Sequence, residues 1–255
     1  MSQTLERALK ILHFVGPEPR RIGEIATFLG VHHSTALRLL QSLRRQHFVF
    51  ELPDHSYRLG AATFRLGYQA LENLDLRQLA RPFIEQLNQA TGETVHLATL
   101  ENGDVFYLDK VEARHPVRTH SRIGSIAPLH CAAVSKAILA FLPHPERDRV
   151  LQGRLLDRRT PNSRTDREAL DADFVEASRR GYVLDDEENE PGIHCVGMPF
   201  FDGTRRVAGS LSVSTPVSRI DRDKLLSFVP LLSESVQALS RELGWVPQQD
   251  SRPAR

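Results

Sequence analysis

Two dipeptides combine a histidine with a cysteine, His130-Cys131 and His194-Cys195, and His96 is a third imidazole that could lie near them. Thiolates and imidazoles bind zinc, and a thiol beside an imidazole base is also the arrangement of a thiol-dependent enzyme. The pairs lack the Cys-x-x-Cys spacing of a structural zinc site, and adjacent residues on a strand face opposite ways. Buried, unreactive cysteines are the favoured interpretation, and a zinc site or a thiol-dependent enzyme is the alternative.

A second stretch of the sequence is basic and could bind an anion. Residues 30–50 contain Arg38, Arg44 and Arg45 together with three histidines, and they contain no acidic residue. Such a stretch can present a basic face to an anion such as DNA phosphate, although a solvated helix face has the same composition. The whole chain carries a net charge of only +1, so charge indicates an anionic partner in this region alone.

The composition indicates a folded protein of more than one domain. The 255 residues exceed the usual domain size of about 100 to 150, and the fractions of hydrophobic (40%) and charged (25%) residues exclude a disordered chain, a collagen or a coiled-coil rod. No apolar run approaches the roughly 18 residues that span a bilayer, and the N-terminus does not resemble a signal peptide. Two cysteines are too few for a disulfide scaffold. We therefore expect a cytoplasmic protein without a membrane segment.

The first 74 residues have the pattern of a winged helix-turn-helix followed by a linker helix. Apolar residues at helical spacing predict helices over residues 5–15, 22–29, 33–45 and 60–74. Gly30 supplies the turn between the second and third helices, and Ser34 or Thr35 can cap the third. Extended runs at residues 47–52 and 56–59 predict a hairpin, which is the wing.

The remaining chain alternates between strands and helices. Strands are predicted over residues 94–100, 105–111, 117–123, 182–184, 195–201 and 207–214. Helices are predicted over residues 76–91, 132–142, 145–156, 167–180 and 222–243. An Asn102-Gly103 turn joins the first two strands into a hairpin. This order is typical of an α+β domain with a largely antiparallel sheet.

Five segments of the sequence resemble the IclR family of bacterial transcriptional regulators. They are residues 22–40, 57–60, 92–96, 128–131 and 181–195. The resemblance implies a winged helix-turn-helix, a linker helix and a C-terminal effector domain of GAF-like fold, in a homodimer or dimer of dimers on double-stranded operator DNA. The expected division is a DNA-binding domain at 1–60, a helical linker at 61–76, an effector-binding domain at 77–246 and a disordered tail at 247–255.

The DNA contacts are expected on the third helix and on the wing. The candidates are His33, Ser34, Thr35, Arg38, Arg44, Arg45 and Arg58. The start of the third helix enters the major groove in helix-turn-helix proteins, whereas its terminal arginines are better placed for phosphates. Arg58 could reach a minor groove or form a salt bridge. The family often has Pro-Lys at the positions of His32 and His33, so this chain lacks a fixed positive charge there.

The effector contacts are carried over from the family residue by residue. The candidates are Thr119, Ala127, Leu129, Ala133, Val134, Asp185, Cys195, Ser212 and Ser214. N–H groups at the start of the helix after Ala132 offer an anion site, and Ser212 and Ser214 share one face of a strand. The acidic residues around Asp185 can raise its pKa enough for it to donate a hydrogen bond to a ligand oxygen.

The resemblance further implies a metabolite-responsive regulator of a catabolic operon, with no catalysis, cofactor or metal. A small carboxylate is the expected effector. Polar Thr119 indicates a hydroxylated ligand such as a sugar acid. The segments at 185–190 and 239–245 most resemble the branch of the family that senses keto-deoxy sugar acids.

Overall fold

Contacts between residues divide the chain into two units, Met1–Leu74 and Asp75–Arg255. The computed structural model describes residues 3–72, 75–115 and 119–247. Among these residues, none of the helices combines the length and the apolar sequence that crossing a membrane requires.

The N-terminal unit contains the predicted helix-turn-helix. Its first three helices are α1 (Gln3–Val15), α2 (Ile22–Leu29) and α3 (His33–Arg45). The bounds predicted for α2 and α3 are confirmed. Gly30 ends α2 in the left-handed conformation (φ 63°), which glycine adopts without the steric cost of a Cβ atom. Ile11, Ile25 and Leu40 bring the apolar faces of the three helices into one buried core.

The cap of α3 differs from the prediction. His32 is the N-cap, not Ser34 or Thr35, and its Nδ1 accepts a hydrogen bond from the Ser34 backbone N–H at 3.4 Å. The backbone of His32 is extended (φ −67°, ψ 147°), so its imidazole can turn back onto the first helical turn. The same Nδ1 lies 2.9 Å from Ser34 Oγ, so the cap also orients the serine hydroxyl.

A small sheet forms the wing. Its strands are β1 (Arg20–Arg21), β2 (Val49–Glu51) and β3 (Ser56–Leu59), which pair antiparallel in the order β1-β3-β2. The predicted hairpin is confirmed. Strand β1 was not predicted, because two residues are too few to show the alternating pattern of a strand. Gly60 then leads into α4 (Ala61–Glu72). A Cβ atom at Gly60 would lie 2.2 Å from the carbonyl oxygen of His47, so this junction requires glycine.

The C-terminal unit is an α+β fold around one antiparallel sheet, as predicted. Its helices are α5 (Leu76–Thr91), α6 (Ala133–Phe141), α7 (His144–Leu151), α8 (Arg167–Arg180), α9 (Arg222–Leu226) and α10 (Val229–Glu242). Its strands are β4 (Thr94–Glu101), β5 (Asp104–Val111), β6 (Ile126–Ala127), β7 (Val183–Asp186), β8 (Ile193–Phe201) and β9 (Val207–Pro216). Among the described residues, the strand order is β6-β5-β4-β9-β8-β7.

Helices cover both faces of this sheet. Val95 and Val213 face α5 and α10, where Ile84 and Val236 complete one core. The residues next to these along each strand lie on the opposite face of the sheet, towards α6 and α8, because successive side chains of a strand point to opposite sides. Ser210 illustrates the second face, since its Oγ donates to the carbonyl oxygen of Val134 in α6 at 2.8 Å. Polar residues on this second face are therefore placed under the start of α6.

Three predicted elements of this unit are wrong in part. The strand predicted at 117–123 is irregular from Thr119 onward, while its first two residues, with Pro116, lie outside the described residues. Its polar groups bond to side chains instead of a neighbouring strand; for example, Lys110 Nζ donates to the Ser121 carbonyl oxygen at 2.8 Å. The helix predicted at 145–156 ends at Leu151, shortly before Gly153 takes a left-handed conformation (φ 69°).

The long closing helix is divided into α9 and α10. Pro230 occupies the first turn of α10, where the missing N–H group costs nothing. In the interior of a continuous helix the same proline would remove a hydrogen bond, so the chain restarts the helix at Val229. Most of the predicted tail, residues 248–255, lies outside the described residues.

Candidate functional site

A cavity of about 20 Å³ lies in the C-terminal unit, between the start of α6 and the polar face of the sheet. It is lined by most of the effector contacts expected from the sequence, namely Thr119, Ala133, Val134, Asp185, Cys195, Ser212 and Ser214. The structure thus brings together residues that are far apart in the chain. Further lining residues, which the sequence did not indicate as effector contacts, are His96, Tyr107, Ser121, Ala132, Asn189, Glu190 and Ile193.

Ala127 and Leu129 are not brought to this cavity. Both are buried in the core beside α6, and Ala127 is held there because its carbonyl oxygen accepts a hydrogen bond from Ser135 Oγ at 3.2 Å. Pro128, which lies between them, instead lines a second cavity of about 460 Å³. The two cavities share Tyr107, Ser121, Asn189 and Glu190, so the larger one adjoins the smaller.

The start of α6 forms one end of the small cavity. Ala132 is the N-cap, and its methyl group cannot accept a hydrogen bond from the first N–H groups of the helix. These groups and the helix dipole favour a negative charge. Gly197 on β8 allows the helix to approach the sheet, since a Cβ atom there would lie 2.8 Å from the carbonyl oxygen of Ala133.

Asp185 supplies a carboxyl group whose charge is disfavoured. Its side chain is buried, and burial together with the neighbouring charge of Glu188 raises the pKa of Asp185 to about 7. Its Oδ1 accepts hydrogen bonds from the backbone N–H groups of Glu188 (2.8 Å) and Asn189 (3.2 Å). A substantial fraction of Asp185 is therefore protonated at neutral pH and can donate to a ligand oxygen.

The loop that carries these groups is anchored by a buried lysine. Lys136 of α6 is fully buried, and its Nζ lies 2.8 Å from Glu188 Oε2 and 2.6 Å from Asp173 Oδ2 of α8. The same Nζ donates to the carbonyl oxygen of Leu184 at 2.7 Å. The end of β7 and the following turn, which together position Asp185, are thus joined to two helices.

The histidine and cysteine pairs do not form a reactive centre. Burial raises the pKa of the Cys131 thiol to about 12 and raises that of Cys195 well above its ordinary value, so both are protonated. His130 instead bonds through Nε2 to the Asp157 carbonyl oxygen at 2.9 Å. Within residues 3–72, 75–115 and 119–247, no group of three or more His, Cys, Asp or Glu side chains is arranged to hold a metal ion.

The N-terminal unit exposes a basic helix face. His33, Ser34 and Arg38 are exposed at the start and middle of α3, whereas Thr35 is half-buried. Arg45 is also exposed at the end of the helix.

The other two candidate arginines have partners in the wing. Arg44 forms a salt bridge with Glu51 of β2. On the wing, the guanidinium carbon of Arg58 lies 4.8 Å from the ring centre of Phe50, and its Nη1 donates to the carbonyl oxygen of Leu59. These contacts hold the side chains of Arg44 and Arg58 near the hairpin.

Two family models match the chain. The IclR helix-turn-helix domain matches residues 4–52, and the C-terminal domain of the bacterial transcriptional regulator IclR matches residues 68–241. The chain belongs to the IclR family of transcriptional regulators. The family resemblance seen in the sequence is therefore confirmed.

Similar curated IclR-family proteins match over nearly their whole length. The HTH-type transcriptional regulator XynR of Escherichia coli (strain K12) is 34% identical over 246 residues, which cover 95% of this chain and 98% of XynR. The HTH-type transcriptional regulator KdgR of the same strain is 32% identical over 238 residues, which cover 92% of this chain and 90% of KdgR. Both relatives are transcriptional regulators, so these similarities give no support to the thiol-enzyme alternative.

Solved IclR-family structures have the same fold. An IclR transcriptional regulator from Silicibacter sp. TM1040 superimposes with a TM-score of 0.84 at 26% identity, covering 96% of this chain and 98% of that one. The IclR protein of Thermotoga maritima matches with a TM-score of 0.65 at 32% identity, covering 96% and 100%.

Proposed function

We propose that this IclR-family regulator controls a catabolic operon and responds to a small carboxylate, such as a keto-deoxy sugar acid. The observation that carries the proposal is the polar cavity under α6. It combines the N–H groups at a helix start with Asp185, which is partly protonated at neutral pH, and with the hydroxyl groups of Ser212 and Ser214. The helix start suits the carboxylate, and the hydroxyl groups suit the other oxygen atoms of a sugar acid.

The N-terminal unit is proposed to bind operator DNA through the exposed face of α3. Helix-turn-helix proteins insert this helix into the major groove and bind paired half-sites as dimers. We therefore propose a homodimer or a dimer of dimers. The effector regulates DNA binding if its affinity differs between two quaternary states, because it then shifts the equilibrium towards the state that it prefers.

A thermal-shift screen against sugar acids, 2-keto acids and hydroxybenzoates tests the proposed effector class. An acid at about one hundred times its dissociation constant is expected to stabilise the protein by about 2.7 kcal/mol. The Asp185→Ala and Ser212→Ala variants should lose this stabilisation, because each removes a polar group of the cavity. Unchanged melting of the wild-type protein with every acid would refute a carboxylate effector.

Arg38 is expected to carry much of the DNA specificity. An arginine that forms two hydrogen bonds with guanine contributes about 1–3 kcal/mol of discrimination, so Arg38→Ala should weaken operator binding by about 5- to 150-fold. Fluorescence anisotropy with an operator selected from random DNA measures the loss. Arg179→Ala, which removes an exposed helical arginine of the C-terminal unit, is the matched control. Equal affinities of the two variants would contradict a base contact by Arg38.

A further inference from the structure

Helix α10 carries two charged side chains on a face that does not pack against the sheet. Its buried residues Leu232, Val236 and Leu239 belong to the core between the helix and the sheet. Glu234 and Arg241 are exposed, and among the described residues neither side chain has a hydrogen-bond or ion-pair partner. They are seven residues apart, which is almost two helical turns and about 10.5 Å along the axis. One face of α10 therefore holds an unpaired negative charge and an unpaired positive charge.

A groove of about 320 Å³ lies beside this face, between α10 and α5. Glu234 and Arg241 both line it, so the two charges are on the same side of the helix. The other lining residues are mostly apolar or small, namely Phe83, Gln86, Leu87, Ala90, Leu231, Ser235 and Ala238. Small side chains such as Ala90 and Ala238 let a second helix approach closely, because the distance between packed helices depends on the side chains at their contact. The groove thus has the form of a helix-docking surface.

The order of the two charges indicates which partner fits this surface. The partner must present a positive charge opposite Glu234 and a negative charge opposite Arg241. A second copy of the chain does so when its α10 lies antiparallel, because a two-fold axis places the same surface of both subunits face to face. A parallel copy would bring like charges together, and a uniformly basic or acidic partner would match only one of the two charges.

The size of the surface indicates how strong the contact is. Helix α5 has 16 residues and α10 has 14. Two helices of this length and of about 10 Å diameter offer roughly 450 Å² per subunit. Two copies would therefore bury roughly 900 Å², which is less than obligate dimers bury. Such a contact is better suited to joining two dimers than to forming the primary dimer.

We infer that α5 and α10 form a two-fold interface between the C-terminal units of two subunits, in which Glu234 of each subunit pairs with Arg241 of the other. This inference rests on the proposed function, because it assumes the homo-oligomer and names a surface that joins its subunits. Each pair occurs twice across the axis, so one substitution changes two contacts. Charge pairs of this kind mainly select the partner, since like charges placed opposite each other are strongly disfavoured.

Charge reversal in the full-length chain tests the pairing. In Glu234→Arg the facing groups are both positive, and in Arg241→Glu they are both negative. Each variant is expected to weaken this contact by about tenfold or more, which sedimentation velocity measures from the mass of the assembly over a range of protein concentrations. Glu168→Arg makes the same change at an exposed residue of α8, on the other face of the sheet, and should leave the mass unchanged. Melting of each variant verifies that it folds.

Two further samples bring opposite charges together again. The double variant Glu234→Arg/Arg241→Glu exchanges the two charges and should assemble like the wild-type protein. An equimolar mixture of the two single variants should also assemble, because each contact between the two kinds of chain joins a positive group to a negative one. Neither recovery is expected if the single substitutions act by damaging the helix.

The possible results separate this inference from the proposed oligomer. Wild-type assembly of both single variants would overturn the role of this surface and leave a homo-oligomer standing. Loss of assembly without recovery in the double variant or in the mixture would overturn the antiparallel pairing. A wild-type chain that sediments as a monomer at every concentration would refute both proposals.

Discussion

Replacing Lys136 with methionine is expected to lower the free energy of unfolding of the C-terminal unit by about 3–5 kcal/mol. The methionine side chain has a similar length but no charge. It would leave Glu188 and Asp173 without the ammonium group that lies 2.8 Å and 2.6 Å from their oxygen atoms. Removal of one partner from a buried ion pair is costly, because the remaining charge keeps its desolvation penalty.

Denaturant unfolding followed by the fluorescence of Trp245, the single tryptophan, measures this loss in the correct unit. Lys224→Met is the matched control, since Lys224 is exposed and lies 5.5 Å from the ring centre of Phe228. Its loss should be no more than about 1 kcal/mol. Adding Glu188→Gln to Lys136→Met should recover part of the stability. If Lys136→Met costs no more than the control, the buried network does not stabilise this unit.

Sequence was most informative where local chemistry ends a helix. The bounds predicted for α2, α5 and α8 match the structure, and each of these helices is followed by a glycine in the left-handed conformation: Gly30, Gly92 and Gly181. The signal is local because a glycine at this position avoids the steric cost that any other residue pays. The family resemblance then located the cavity residues on α6, β7, β8 and β9.

Features that depend on distant partners were beyond this approach. Strands β1 and β6 contain two residues each, so alternation has no room to appear, and pairing with β3 and β5 alone defines them.

Two residues in and near the cavity show the same limitation. His96 was noticed only as a metal ligand or a base, because its contact with Ser212 follows from strand register. Lys136 has no signal of burial in the sequence, since its partner Glu188 is 52 residues away. The sequence shows the chemical type of each residue, but it does not show which distant residues surround it in the fold.

Asp185 is expected to make effector binding depend on pH. A protonated Asp185 donates to the ligand, whereas an ionised one repels a carboxylate. Because burial and Glu188 raise the pKa of Asp185 to about 7, the affinity for an acidic effector should be constant at low pH. It should fall by about tenfold per pH unit above 7, or by about 100-fold at pH 9. Titration calorimetry between pH 5 and pH 9 measures this slope.

Asp185→Asn is the matched variant, because an amide donates without titrating and should therefore remove the slope.

The unliganded protein provides an independent comparison. The pKa of Asp185 is raised from an ordinary value of 3.8 to about 7, so unfolding releases its proton at pH values between these two. Its contribution to stability is fully present below about pH 4 and is lost as the pH rises to about 7. The stability of Asp185→Asn relative to wild type should therefore increase between pH 4 and pH 7. If neither affinity nor relative stability changes with pH, Asp185 is ionised in the folded protein, and the carboxylate must then be held by the start of α6 and the serine hydroxyl groups without its help.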